Sequence, residues 1–238
     1  MILLILLGLT FFIQLLASPW FVMVETSADG RKALKYRLLC MGIFIADTLL
    51  CGAIANAHTD PYFILIGVGM LLSFLAGVLT STLKYKGEEI FFALQSVVNL
   101  LYTSSFILRL HSLYSIGTKE IISTAIPLVI AFLLIPFTCR KSGKLQPLSI
   151  LSVISITLMC SKAVHLGVLC QMTNLPIMQA VSCALIMGAL ALTFSVLLAT
   201  RQRISPPPQG KPQLPKYCMY FFGQMLIACS ILICGGLR

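Results

Sequence analysis

The chain has 238 residues, of which 58% are hydrophobic and only 10% charged, against about 25% charged residues in an ordinary soluble domain. Its mean hydropathy is +0.98. Too few polar side chains exist to cover a water-facing surface, which excludes a soluble enzyme, a secreted disulfide scaffold and a disordered chain and leaves one polytopic membrane domain.

The 17 Lys and Arg exceed the 7 Asp and Glu to give a formal charge of +10. In a soluble protein that excess would point to nucleic acid. Here the basic residues fall mostly in short links between apolar runs, where membrane topology accounts for them, so no nucleic-acid partner is expected. The nine cysteines lie in or beside apolar runs and no two share a CxxC spacing. They read as small apolar core residues, with no disulfide framework, no metal and no cofactor expected.

Eight apolar runs follow one another at about 2–24, 38–57, 62–83, 90–110, 120–138, 147–170, 175–199 and 217–236. Each is long enough, or nearly so, to cross about 30 Å of hydrocarbon as helix. The links are short, which predicts antiparallel neighbours in a single bundle. The first run lacks a basic leader and exceeds the apolar length of a signal peptide, so it reads as a retained helix. Gly69, Ser73, Gly77 and Ser81 of the third run recur every four residues, a small-residue seam that predicts close backbone approach. Pro127 and Pro136 predict a kink in the fifth helix, and Pro147 and Pro176 predict preset starts to the sixth and seventh. The stretch 201–216 holds Pro206, Pro207, Pro208, Pro212 and Pro215 and reads as a stiff extended connector.

The basic residues alternate between links. The odd links carry Arg31, Lys32, Lys35 and Arg37; Lys84 and Lys86; Arg140, Lys141 and Lys144; and Arg201, Arg203, Lys211 and Lys216. The even links carry Lys119, with Arg109 at a helix end nearby. Positive-inside logic places the odd links in the cytoplasm and both termini on the opposite side, which requires an even number of crossings.

Polar residues at membrane depth each need a partner. Asp47 sits mid-span in the second run, and Lys162 and His165 lie three apart on one face of the sixth. An Asp47–Lys162 ion pair inside the bundle would lower the cost of both. Gln95, Asn99 and Tyr102 form a stripe on the fourth run, and Tyr220 and Gln224 lie one turn apart on the eighth. Both sets must face protein or water rather than lipid. No GxSxG, HExxH, GxxxxGK[ST] or helix-opening GxGxxG occurs, and Asp47 is the one acid well inside a span.

Four stretches carry a resemblance: Lys35 followed by Leu38 and Leu39; Ser73 to Thr80; Asn99-Leu100-Leu101-Tyr102; and Tyr220 to Ile227. Together they resemble the lysoplasmalogenase (YhhN-like) family of eight-helix membrane proteins over roughly residues 35 to 232. The resemblance implies hydrolysis of the vinyl-ether bond of a lysoplasmalogen to a fatty aldehyde and a glycerophospho-headgroup, with a membrane lipid such as a lysophospholipid as partner. That chemistry protonates a vinyl carbon and traps an oxocarbenium-like cation with water, so it needs an acid and a stabilising carboxylate. The positions where the family carries intramembrane aspartates are Gly77 and Phe194 here, its His is Asn99, and its Tyr is Leu151. No Asp or Glu occurs between Lys162 and Arg238 in any register. Lys35, Asp47, Asn99, Tyr102, Lys162, His165, Tyr220 and Gln224 are therefore the candidate polar pocket, without an assigned catalytic residue. The readings are a lysoplasmalogenase-like hydrolase working with altered residues, a non-catalytic lipid-binding member of the same fold, or a small transporter or channel subunit using an Asp47–Lys162 relay.

Overall fold

A computed structural model describes residues 2–26, 30–82, 87–113, 118–139, 145–173, 175–204 and 214–236, and these are helical with short turns and no strand. The helices are α1 Ile2–Thr26, α2 Gly30–Ala55, α3 Pro61–Thr82, α4 Gly87–Leu113, α5 Thr118–Thr138, α6 Gln146–Gln171, α7 Pro176–Ile204 and α8 Leu214–Cys229. A 3-10 turn, Ser230–Leu232, then leads into the short α9, Ile233–Gly236. The chain is an all-α membrane bundle. Helices close their backbone hydrogen bonds within the segment, which hydrocarbon demands. Seven of the described helices are long and apolar enough to cross a membrane. The apolar part of α5, Ile122–Thr138, is shorter at 17 residues, about 25 Å of helix and the low end of what a crossing needs.

All eight helices fall where the apolar runs lie, with most ends within about three residues of the sequence expectation and the start of α2 and the end of α7 further out. The second helix begins at Gly30 rather than 38, so Lys35 and Arg37 are helical rather than in a link. Lys and Arg are good helix formers whose long stems keep the charge outside the apolar layer. The stretch 201–216 is not wholly extended either, because α7 runs to Ile204 and α8 begins at Leu214. The second residue of α8 is Pro215, a position where the missing N–H costs nothing. Pro206, Pro207, Pro208 and Pro212 lie outside the described residues. Pro147 and Pro176 open α6 and α7 as expected, Pro127 and Pro136 lie inside α5, and Pro19 lies inside α1.

The packing order places α8 in the middle. It lies against α7, α2 and α1, while α3 pairs with α4, α4 with α6, and α6 with α5 and α7. Every residue from Gly223 to Ile231 is buried, the all-round burial of a central helix. The outer faces are apolar. Ile126, Val129, Phe132, Leu133 and Phe137 of α5 and Leu4, Ile5, Phe12 and Leu16 of α1 are exposed, which is tolerable only against lipid tails.

The small residues of α3 do not form a seam for one neighbouring backbone. Gly69 leaves room for the Tyr102 ring of α4, Gly77 for the Met41 side chain of α2, and Ser73 accepts a hydrogen bond from Gln224 of α8. Ser81 lies outside the described side chains. The close backbone approach is instead between α7 and α8. A Cβ at Gly188 would stand 3.1 Å from the Gly223 carbonyl oxygen, and a Cβ at Gly223 would stand 3.0 Å from the Gly188 oxygen.

At the end of the bundle where α4 finishes, Arg109 ties three elements together. Its Nη2 donates to the Ile233 carbonyl at 3.1 Å, beyond the 3-10 turn, and its Nη1 lies 3.8 Å from Asp60 Oδ2. Asp60 Oδ1 accepts from the Tyr62 backbone N–H at 2.9 Å and so caps the start of α3. The Tyr62 hydroxyl meets Ser230 Oγ at 2.7 Å, which pins the turn in α8 from the other side.

Candidate functional site

Three helices bring their polar residues to one node. The Tyr102 hydroxyl of α4 donates to Gln224 Oε1 of α8 at 2.7 Å, and Gln224 Nε2 donates to Ser73 Oγ of α3 at 3.2 Å. The Met70 sulfur lies 3.2 Å from the same Tyr102 hydroxyl. Tyr102, Gln224 and Ser73 are fully buried. One turn before Tyr102 on α4, a second and separate set of hydrogen bonds runs toward α6. Gln95 Nε2 donates to Asn99 Oδ1 at 3.3 Å, and Asn99 Nδ2 donates to Ser155 Oγ at 3.2 Å. Tyr220 of α8 is buried with its ring 6.4 Å from that of Phe91 on α4. Its hydroxyl lies near Ser73 and Gln224 but makes no hydrogen bond among the described residues.

Of the eight candidate positions, Asn99, Tyr102, Tyr220 and Gln224 are thus gathered, and the other four are not. Lys35 is exposed on the first turns of α2. Asp47 is fully buried and accepts a hydrogen bond from Thr10 of α1. Lys162 Nζ donates to Ser123 Oγ at 2.9 Å and Thr124 Oγ1 at 2.8 Å, both on α5. His165 is half-buried one turn further along α6.

The expected Asp47–Lys162 pair is therefore not formed. The reason is topological: α2 packs on α1, α3 and α8, whereas α6 packs on α4, α5 and α7. Each buried polar group found hydroxyls on its own neighbour instead, so a relay between the two has no contact to run through. Asp47→Asn and Lys162→Met are accordingly expected to change thermal stability independently, with the double variant matching the sum of the singles within about 0.5 kcal/mol. A larger coupling in detergent unfolding would show that the two charges meet.

The node is chemically neutral. The two neighbouring sets hold two phenols, three side-chain amides and the hydroxyls of Ser73 and Ser155, no carboxylate hydrogen-bonds to them among the described residues, and the Arg37 charge reaches them at Tyr220. Such a set can orient and solvate a polar group, but an amide neither gives nor takes a proton at neutral pH. A general acid paired with a cation-stabilising carboxylate is not assembled there. No group of three or more His, Cys, Asp or Glu suited to a metal occurs among the described residues.

Two sets of residues escaped the sequence reading. Ser149, Ser152 and Ser155 recur every three residues on α6 and are all buried, with Ser155 bonded to Asn99 of α4, and that spacing was the available signal. On α1, Thr10, Gln14 and Ser18 recur every four, with Gln14 Nε2 donating to Ser18 Oγ at 3.1 Å. Gly188 and Gly223 carry no local pattern, because each is explained only by the other.

No protein-family model, curated protein or solved structure matches the chain.

Proposed function

We propose that this protein binds a single-chain membrane lipid within its helical bundle, in the manner of a lysoplasmalogenase-like protein that holds its lipid without hydrolysing it. One observation carries the reading. Three of the stretches that resemble the lysoplasmalogenase family, distant in sequence, supply Ser73, Tyr102 and Gln224, which share one hydrogen-bonded node. A fold that keeps those residues together but surrounds them with amides and hydroxyls supports binding of a polar lipid group and gives proton transfer no agent. The Asp47 and Lys162 contacts on α1 and α5 leave the hydrolytic and relay readings without their key groups at the node.

The test uses the full-length protein purified in detergent. A single-chain lipid is expected to co-purify, and added lysoplasmalogen is expected to bind and to be recovered intact, with Gln224→Leu weakening its retention. Aldehyde release above a heat-denatured control would restore the hydrolase. Failure of any single-chain lipid to bind would remove the proposal.

A further inference from the structure

Side chains from three helices converge on the Tyr217 ring in the first turn of α8. The Arg37 guanidinium of α2 lies over it at 5.7 Å and the Lys216 ammonium at 4.5 Å, each close enough for a cation to be drawn to a ring face. Phe21 of α1 meets the same ring edge-on at 5.2 Å. Arg37 Nε lies 3.9 Å from where a Cβ at Gly77 would stand, so its stem runs along α3. Ser195 Oγ of α7 donates to the Lys216 carbonyl at 2.8 Å and fixes that end of α8. Arg37, Lys216 and Tyr217 are half-buried, so packing sets their positions while part of each side chain reaches the surface.

The apolar spans of these helices put the cluster at the edge of the hydrocarbon. They end at Val24 on α1 and begin at Leu34 on α2 and Pro215 on α8, so Phe21, Arg37, Lys216 and Tyr217 all stand within one turn of the boundary. Trp20, beside Phe21, is 53% exposed and adds the amphipathic ring that membranes hold at headgroup level. At that depth the anion at hand is a lipid phosphate. Two positive charges on one ring repel each other and both gain from a shared anion. The Arg fork matches two phosphate oxygens, and the Lys ammonium adds a point charge. The alternation of basic links assigns this face to the cytoplasm, whose leaflet carries anionic lipid.

We propose that Arg37 and Lys216, set on the Tyr217 ring where α1, α2 and α8 meet the membrane face, bind the phosphate of a two-chain anionic phospholipid from the surrounding leaflet. The acyl chains stay in the bilayer and only the headgroup is held. The site is separate from the interior node, since Gln224 lies two turns deeper along α8. Either reading can therefore fail without the other.

The full-length protein in neutral detergent is titrated with phosphatidylglycerol, with phosphatidylcholine and with soluble glycerol phosphate. The fluorescence of Trp20, the single tryptophan of the chain, and thermal stability read the binding. Phosphatidylglycerol is expected to shift both saturably, and phosphatidylcholine to shift neither. Arg37→Gln and Lys216→Gln are each expected to weaken the apparent affinity about tenfold, as loss of a charge-assisted contact does. Arg201→Gln, exposed near the end of α7, removes the same charge away from Tyr217 and is expected to stay within about twofold at moderate salt, where distant charges are screened. If Arg37→Gln fails to fold, Lys216→Gln carries the same expectation. An equal response to the two lipids would overturn the proposal, as would variants at Arg37 and Lys216 that weaken binding no more than Arg201→Gln. Saturation by glycerol phosphate at the concentration where phosphatidylglycerol saturates would make the ligand a free phosphate ester and also overturn it.

Discussion

Gly188→Val and Gly223→Val are each expected to destabilise the bundle by about 3 kcal/mol, the upper end of what overpacking a close contact costs. The two glycines face each other across α7 and α8. A Cβ at Gly188 would stand 2.8 Å from Leu226 Cβ, and one at Gly223 would stand 2.7 Å from Leu192 Cγ. Behind these side chains lie the backbone oxygens at 3.1 and 3.0 Å, so repacking a flexible side chain does not make room. The helices must separate, and in a membrane their association rests on close van der Waals contact rather than on a hydrophobic force between them. Gly67→Val is the control, since no atom lies within 4 Å of a Cβ there, and its unfolding temperature in detergent is expected to stay near that of the parent. Equal behaviour of Gly188→Val and Gly67→Val would mean that α7 and α8 do not meet at these positions.

Gln224→Leu is expected to cost about 1–3 kcal/mol, the price of leaving buried polar groups unpaired. Leucine keeps most of the volume, so the loss reports hydrogen bonding rather than a cavity. The Tyr102 hydroxyl loses its acceptor at 2.7 Å, and Ser73 loses the amide that donates to it. Gln224→Glu is expected to be worse than Gln224→Leu, since it puts a carboxylate into a fully buried set of hydroxyls and amides. Thermal unfolding in detergent measures both, and a fully stable Gln224→Leu would mean that Gln224 faces elsewhere.

Much of the fold was legible because hydrocarbon allows so few solutions. The eight apolar runs could hardly be anything but helices, and the stripes Gln95–Asn99–Tyr102 and Tyr220–Gln224 had to turn inward. Which helix each stripe meets was not legible, because periodicity gives a face and not a neighbour. Asp47 and Lys162 show the limit. Opposite charges at depth suggest each other in one dimension, yet α2 and α6 take different neighbours, and Thr10, Ser123 and Thr124 supply the contacts. Hydroxyls are common enough in these runs that nothing in the sequence marked those three. The α3 stripe misled in a similar way. Four-residue spacing announces small residues on one face, but the Tyr102 ring and the Met41 side chain fill the space it leaves. The beginning of α2 and the end of α7 were missed because hydropathy reports the edge of the apolar layer, while a helix continues past it as long as its residues permit.

Stretches far apart in sequence, around residues 73, 102 and 224, form one node of uncharged side chains inside the bundle. A double-mutant cycle between Tyr102→Phe and Gln224→Leu tests it most directly, with unfolding in detergent as the readout. The two changes are expected to be coupled by about 0.5–2 kcal/mol, the range for a hydrogen bond between membrane helices. The double variant would then lose less than the sum of the singles. Strict additivity would place Tyr102 and Gln224 out of contact and contradict the account.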